Sequence, residues 1–206
     1  MEYNEQPSFE QDNNEKTTSV ERSKSILSYL HDLVFGLVAI LLVFMFAFRI
    51  LLVSGPSMQQ TLVDGDCLIL VSNIFYNNPK YGDIVVASKD SFKNGEPIIK
   101  RVIATEGQKV DIDFENGIVY VDDVALDEPY TNTPTNLYEG INFPLVVEKG
   151  HVFLLGDNRN DSNDSRSITI GQVDRREILG KVLFLVLPGV EKDTGKRDFS
   201  RIGVLW

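Results

Sequence analysis

The longest apolar run in the chain, residues 33–48, reads LVFGLVAILLVFMFAF and contains no polar side chain. With the apolar stretches 26–30 before it and 50–53 after it, it exceeds the roughly 20 residues a helix needs to cross a bilayer. Asp32 and Arg49 mark the edges of a hydrocarbon layer, and Tyr29 and His31 suit its interface. A buried core helix would keep some polar face, and this run has none. A cleaved leader would be shorter and end at small residues, whereas Ala47-Phe48-Arg49 leads into further bulky ones. The pattern predicts an uncleaved membrane anchor over 25–53. Residues 1–24 are polar and acidic with little apolar periodicity, which predicts a disordered tail. Lys16, Arg22 and Lys24 precede the span, and after Arg49 the next basic residue is Lys80. The positive-inside rule therefore places the tail in the cytoplasm and residues 54–206 outside.

Beyond the span the period changes to two. DCLILVSNIFY, YGDIVVASK, PIIKRVIAT, KVDIDF, GIVYVDD and HVFLLGD are short apolar or alternating runs separated by turn residues, and REILGKVLFLVLPGV adds a longer one. Asn116-Gly117 between two such runs predicts a two-residue hairpin turn. No Gly-rich phosphate loop appears and no helical pattern alternates with the strands, which excludes parallel α/β architecture. The expected fold is mainly β, an antiparallel domain over 54–206 behind one N-terminal transmembrane helix.

Composition narrows the function. A net charge of −10 argues against nucleic acid as a partner. Cys67 is the single cysteine, so no intramolecular disulfide or thiolate cluster can form. Two histidines, His31 and His151, leave no multi-histidine metal site.

The candidate chemistry begins with Ser57 in LLVSGPSMQQTLVDGD, directly after the span. A serine needs a base to become a nucleophile. One choice is His151, oriented by Asp157 or Asp164. The other is Lys100 in PIIKRVI, which on a strand shares a face with Ile98 and Val102. Apolar neighbours disfavour its ammonium, as a lysine base requires. Spacing alone leaves both open, and a snorkelling surface Lys100 remains a third reading. GDNRNDSNDSR, residues 156–166, fails as a calcium loop because Arg166 and Gln172 occupy the glycine and glutamate positions. Its hydroxyl, amide, carboxylate and guanidinium groups suit a hydrogen-bonded network that holds another residue.

These stretches together resemble the type I (leader) signal peptidases, membrane-anchored serine proteases, in their bacterial single-span form. SGPSMQQTL, YGDIVVA, IIKRVIATEG and GDNRNDSNDSR, followed by IGQV and LGKV, match in order behind the N-terminal span. The resemblance implies Ser57 as nucleophile and Lys100 as its general base, so His151 becomes structural. It implies that Ser162 supports the lysine and that Asp164 and Arg166 form the pair holding their loop. Met58, Leu62, Ile98 and Ile99 are the expected substrate-binding residues, in small pockets that favour Ala-like side chains. No cofactor or metal is implied. The implied partners are the signal peptides of exported preproteins, membrane lipid and the protein-export machinery.

Two positions depart from the family pattern. Gln60 stands where proline is usual, and Gly55 stands where some members have a serine that donates to the oxyanion hole. The hole then rests mainly on the Ser57 N–H, and slower catalysis is expected rather than none. The alternative function is a non-catalytic homologue acting as an assembly or binding partner. The presence of both Ser57 and Lys100 argues against it. A self-cleaving repressor with the same dyad would need a DNA-binding head, which residues 1–24 do not offer.

Overall fold

Alternation in CLILVS turns Leu68, Leu70 and Ser72 inward and leaves the residues between them half-exposed, the signature of a strand with one face on a core. The same logic builds most of the chain in this computed structural model, which describes residues 9–90, 92–191 and 194–205 (side chains from 27 onward, 93 excepted). Two units form, Met1–Phe46 and Ala47–Trp206.

The first unit carries the helix α1, Phe9–Ala47, whose last residue already belongs to the second unit. Its segment Leu27–Ala47 has 21 residues and mean hydropathy 2.4, long and apolar enough to cross a membrane. The helix begins well before the expected anchor boundary at residue 25, so the backbone of 9–24 is helical where a disordered tail was expected. Neither proline nor glycine stands in 9–24, so no strong helix breaker interrupts it. Residues 1–8 of the expected tail lie outside the described residues.

The second unit is antiparallel β throughout. Its strands are β1 (Phe48–Leu52), β2 (Cys67–Ser72), β3 (Ile84–Ala87), β4 (Ile98–Thr105), β5 (Lys109–Asp113) and β6 (Ile118–Val121). They continue with β7 (Val124–Ala125), β8 (Leu145–Val146), β9 (His151–Leu155), β10 (Val173–Asp174), β11 (Ile178–Leu187) and β12 (Gly203–Val204). One sheet has the order β1-β2-β11-β3-β4-β9-β10 with β12 on β11, and a smaller one has the order β7-β6-β5-β8. Residues 48–52, expected to finish the anchor, instead pair with β2, Phe48 opposite Val71 and Leu52 opposite Cys67. An all-apolar run hides where a helix gives way to an edge strand, because neither period is visible in it.

The hairpin around Asn116-Gly117 forms with a longer loop than expected, 114–117. Asp113 sets it: its Oδ1 accepts the N–H groups of Glu115 and Asn116, each at 3.0 Å. Gly117 closes the turn at φ 72°, a backbone state glycine adopts without strain.

Three apolar clusters hold the domain. One gathers Val53, Met58, Leu62, Leu68, Ile84 and Val182, so residues around Ser57 are themselves core. A second lies on the other face, around Val85, Val102, Leu154 and Ile178. A third joins the end of β4 and β9 to the smaller sheet through Ile103, Phe153, Val110 and Val119. The sheet that carries Lys100 is thus packed on both sides, which fixes the lysine's backbone.

Candidate active site

Ser57 is held from both ends by the core. Met58 and Leu62 are 1% and 0% exposed, and the Leu62 N–H donates to the Met58 carbonyl at 2.8 Å, closing a tight five-residue turn. Burial of these two side chains, worth roughly 1.5–3 kcal/mol each, nails the turn to the domain. The 156–166 loop grips the segment from the other side. The Asn158 N–H donates to the Ser57 carbonyl at 3.0 Å, and Asn158 Nδ2 donates to the Pro56 carbonyl at 3.1 Å. The N–H of Ser57 itself has no partner among the described residues, which leaves it able to receive a developing oxyanion.

Lys100 lies on β4 opposite Val85 of β3 and is only 3% exposed. Its Nζ donates to Ser57 Oγ at 2.8 Å and to the Ile99 carbonyl at 3.0 Å. A buried amine touching a hydroxyl in this way is the geometry a serine needs for activation. His151 is elsewhere: its Nδ1 lies 3.0 Å from the Lys149 carbonyl, at the start of β9. Asp157, offered above as its orienting acid, is spent on Arg101, whose Nε and Nη2 donate to its two oxygens at 2.9 and 2.7 Å.

The supporting residues form one buried network. Ser162 Oγ donates to Asp164 Oδ2 at 2.9 Å. Arg166 donates to the same carboxylate from Nε at 2.8 Å and Nη2 at 2.9 Å, and to the Arg159 carbonyl at 2.5 Å. The Gly156 N–H completes Asp164 at 3.0 Å. Arg159 reaches away to Glu128 in a two-pronged pair, 2.6 Å on each side, and burial, which works against its charge, is outweighed by that carboxylate.

Gly55 has φ 91° and donates its N–H to Asp64 Oδ1 at 2.8 Å, so that donor is already spent. A groove runs past Ser57 and Lys100 between residues 51–58 and 96–100. Ile98, Ile99 and Met58 line it. Leu62 does not: it sits in the core and borders a neighbouring recess with Gln59 and Gln60. Two apolar residues in an irregular turn carry no period that tells which of Met58 and Leu62 faces the groove. Leu51, Phe92 and Asn163 also line the groove and were not anticipated.

Gly156 was missed as well. A Cβ there would collide with the Ser162 side chain and with the Ser57 carbonyl, so only glycine lets the two segments approach. Its place at the head of the loop was the available signal. Among the described residues no group of three or more His, Cys, Asp or Glu is gathered as a metal site would require.

A serine hydroxyl against a buried lysine, on an antiparallel β scaffold, is an arrangement that can activate a serine for hydrolysis. The family described as signal peptidase, peptidase S26, matches residues 26–187, and the chain belongs to it. A probable signal peptidase I-1 of Synechocystis is 38% identical over 144 residues, covering 66% of this chain and 69% of that protein. A signal peptidase I of Bacillus licheniformis is 30% identical over 178 residues, covering 82% and 93%. A solved signal peptidase I from Enterococcus faecalis aligns at 30% identity and TM-score 0.41, over 50% of this chain and 96% of that one.

Proposed function

We propose that the protein removes signal peptides from exported preproteins, with Ser57 as nucleophile and Lys100 as general base. The observation that carries this reading is the 2.8 Å contact between Lys100 Nζ and Ser57 Oγ, made by a lysine that the sheet buries. Burial disfavours the ammonium, and a neutral amine can take the serine proton. The preprotein lies extended in the groove beside Ile98 and Ile99, where shallow pockets admit small side chains.

Ser57 Oγ attacks the scissile carbonyl while its proton passes to Lys100. The oxyanion forms against the Ser57 N–H. Collapse breaks the C–N bond, and the Lys100 proton leaves with the new amino terminus of the mature protein. Water, deprotonated by neutral Lys100, then attacks the ester, freeing Ser57 and the signal peptide as a carboxylate. Ser162, Asp164 and Arg166 act by holding the loop that packs against the pair.

In this reading the apolar segment of α1 crosses the cell membrane, the N-terminus stays cytoplasmic, and the β domain works outside beside membrane lipid and the export machinery. The Lys16, Arg22 and Lys24 bias supports that orientation.

Cleavage of a preprotein by the purified full chain in detergent tests the assignment. Ser57→Ala and Lys100→Ala should each lower kcat/KM by about a thousandfold or more, because the two act as a unit. His151→Ala should stay within about threefold of wild type. Loss of activity in His151→Ala with a live Lys100→Ala would overturn it, and an inactive wild type would favour a non-catalytic partner.

A further inference from the structure

Glu139 stands beside the catalytic loop with its hydrogen bonding incomplete. Its side chain is 15% exposed, and its Oε1 lies 3.9 Å from Arg166 Nη2. Its Oε2 is the one buried side-chain oxygen or nitrogen without a hydrogen-bond partner among the described residues. Such groups are rare in folded proteins and carry a desolvation cost, so they call for an explanation.

Neutralising Arg166 is not that explanation. Asp164 already engages the guanidinium at two nitrogens, and the carbonyls of Arg159, Ser162 and Leu137 take further donors. Glu139 is therefore a surplus negative charge at the loop. Its backbone is firmly placed, because Gly140 bridges to Ser167 and the Ile141 N–H donates to the Arg166 carbonyl at 3.1 Å. Burial, then the Asp164 carboxylate, push its carboxyl above the usual glutamate range, against the opposing pull of Arg166, the Asp164 N–H and Lys100. The charged groups that face it are thus Asp164 and Arg166 from the loop and Lys100 from β4.

We propose that Glu139 is a positioning residue for the dyad, steadying the 162–166 loop through Arg166 while its charge tunes how readily Lys100 gives up its proton. The inference rests on Lys100 being the base. A nearby carboxylate favours an ammonium, so Glu139 holds the activity limb at higher pH than the lysine's burial alone would set. In exchange, the loop that carries Ser162 has an anchor from a third segment of chain.

The test is the pH dependence of kcat/KM for preprotein cleavage by the full chain in detergent, comparing wild type, Glu139→Gln and Glu139→Ala. Glu139→Gln removes the charge and keeps the shape. Its limb should move to lower pH by on the order of half a unit, with the plateau lowered a few-fold at most. Glu139→Ala should show the same shift and a plateau about tenfold lower, because the loop loses its third anchor. A residue that merely fills space would change the plateau and leave the limb in place. An unmoved limb in Glu139→Gln, a limb moved upward, or a variant that fails to fold would each overturn the proposal. A wild-type limb that vanishes with His151→Ala would overturn the base assignment itself, and the two failures are therefore told apart.

Discussion

Thr61 donates its hydroxyl to Asp157 Oδ2 at 2.6 Å, joining the turn that carries Ser57 to the loop that carries Ser162. The same carboxylate receives the fork of Arg101, the neighbour of Lys100 on β4. One buried aspartate thus ties together the three segments that supply the site. The Arg101 guanidinium is in turn stacked on the Tyr130 ring, 4.0 Å from its centre.

That arrangement makes Asp157 structural in its chemistry and essential in its effect. Asp157→Ala would take the carboxylate away from the Arg101 guanidinium, which sits at 3% side-chain exposure. Removing one partner of such a pair costs about 3–5 kcal/mol. The full chain in detergent should therefore melt well below wild type and lose cleavage activity together with its fold. Thr61→Val, which removes a single hydrogen bond, should cost about 1 kcal/mol and keep the fold. A wild-type melting point for Asp157→Ala would mean that the three segments are held by something else.

Gly156 allows a sharper test, because its role is space rather than charge. In Gly156→Ala the added methyl meets the Ser162 side chain and the backbone carbonyl of Ser57. Rotating Ser162 would clear its hydroxyl but not its Cβ, and the Ser57 carbonyl is fixed by the Asn158 N–H. Ser57 must then shift, and misplacement of a reacting group by about 1 Å costs on the order of a hundredfold in rate. Steady-state cleavage should fall by that factor while circular dichroism stays that of the native protein. Full activity in Gly156→Ala would show that the two segments need not approach so closely.

The residues proposed to carry the chemistry are legible because they lie in short, distinctive boxes. Ser57, Lys100 and the Ser162–Asp164–Arg166 set stand in GPSM, IIKR and NDSNDSR, and the alternating runs located the long strands. What stayed hidden has a common physical cause. Phe48–Leu52 is apolar at nearly every position, so no period separates strand from membrane helix. Leu62 and Met58 sit four residues apart in one turn, and only the packed core decides which of them reaches the groove. Glu139 lies in a stretch with no regular pattern, and its neighbours Lys100 and Arg166 are far away in sequence. The contacts that matter for these residues close long loops, and local sequence carries little trace of them.

Topology can be read with a thiol probe. Cys67 is half-buried on β2 and labels poorly as it stands, so Glu115→Cys in a Cys67→Ser background supplies an exposed site in the loop between β5 and β6. A membrane-impermeant reagent added to intact cells should label it fully, as the positive-inside bias requires. Labelling only after lysis would invert the orientation.

The last prediction concerns stability against pH and the cluster behind YGDIVVA. Asp83 Oδ1 is paired with Lys181 at 2.5 Å, and its Oδ2 accepts the Tyr76 hydroxyl at 2.5 Å and the Lys80 N–H at 3.0 Å. Burial works against the charge of Asp83, but Lys181, Tyr76 and the Lys80 N–H together hold its carboxyl below the usual value of 3.8. Tyr76 moves the other way: burial first, then the hydrogen bond and charge of Asp83, push its phenol well above the usual 10.0. A lowered aspartate stabilises the fold above its ordinary value, and that contribution is lost as pH falls below 3.8. A raised tyrosine contributes below its ordinary value, and loses that contribution as pH climbs past 10.0. Asp83→Asn should therefore melt below wild type at neutral pH, with the gap narrowing in acid. Tyr76→Phe should instead soften the alkaline loss. Because Asp83 also accepts the Val102 N–H through its carbonyl at 2.9 Å, the substitution leaves the β3–β4 connection its backbone bond, and the effect is that of the charge. A gap between Asp83→Asn and wild type that stays constant from neutral pH down into acid would show that the carboxylate's charge stabilises nothing here.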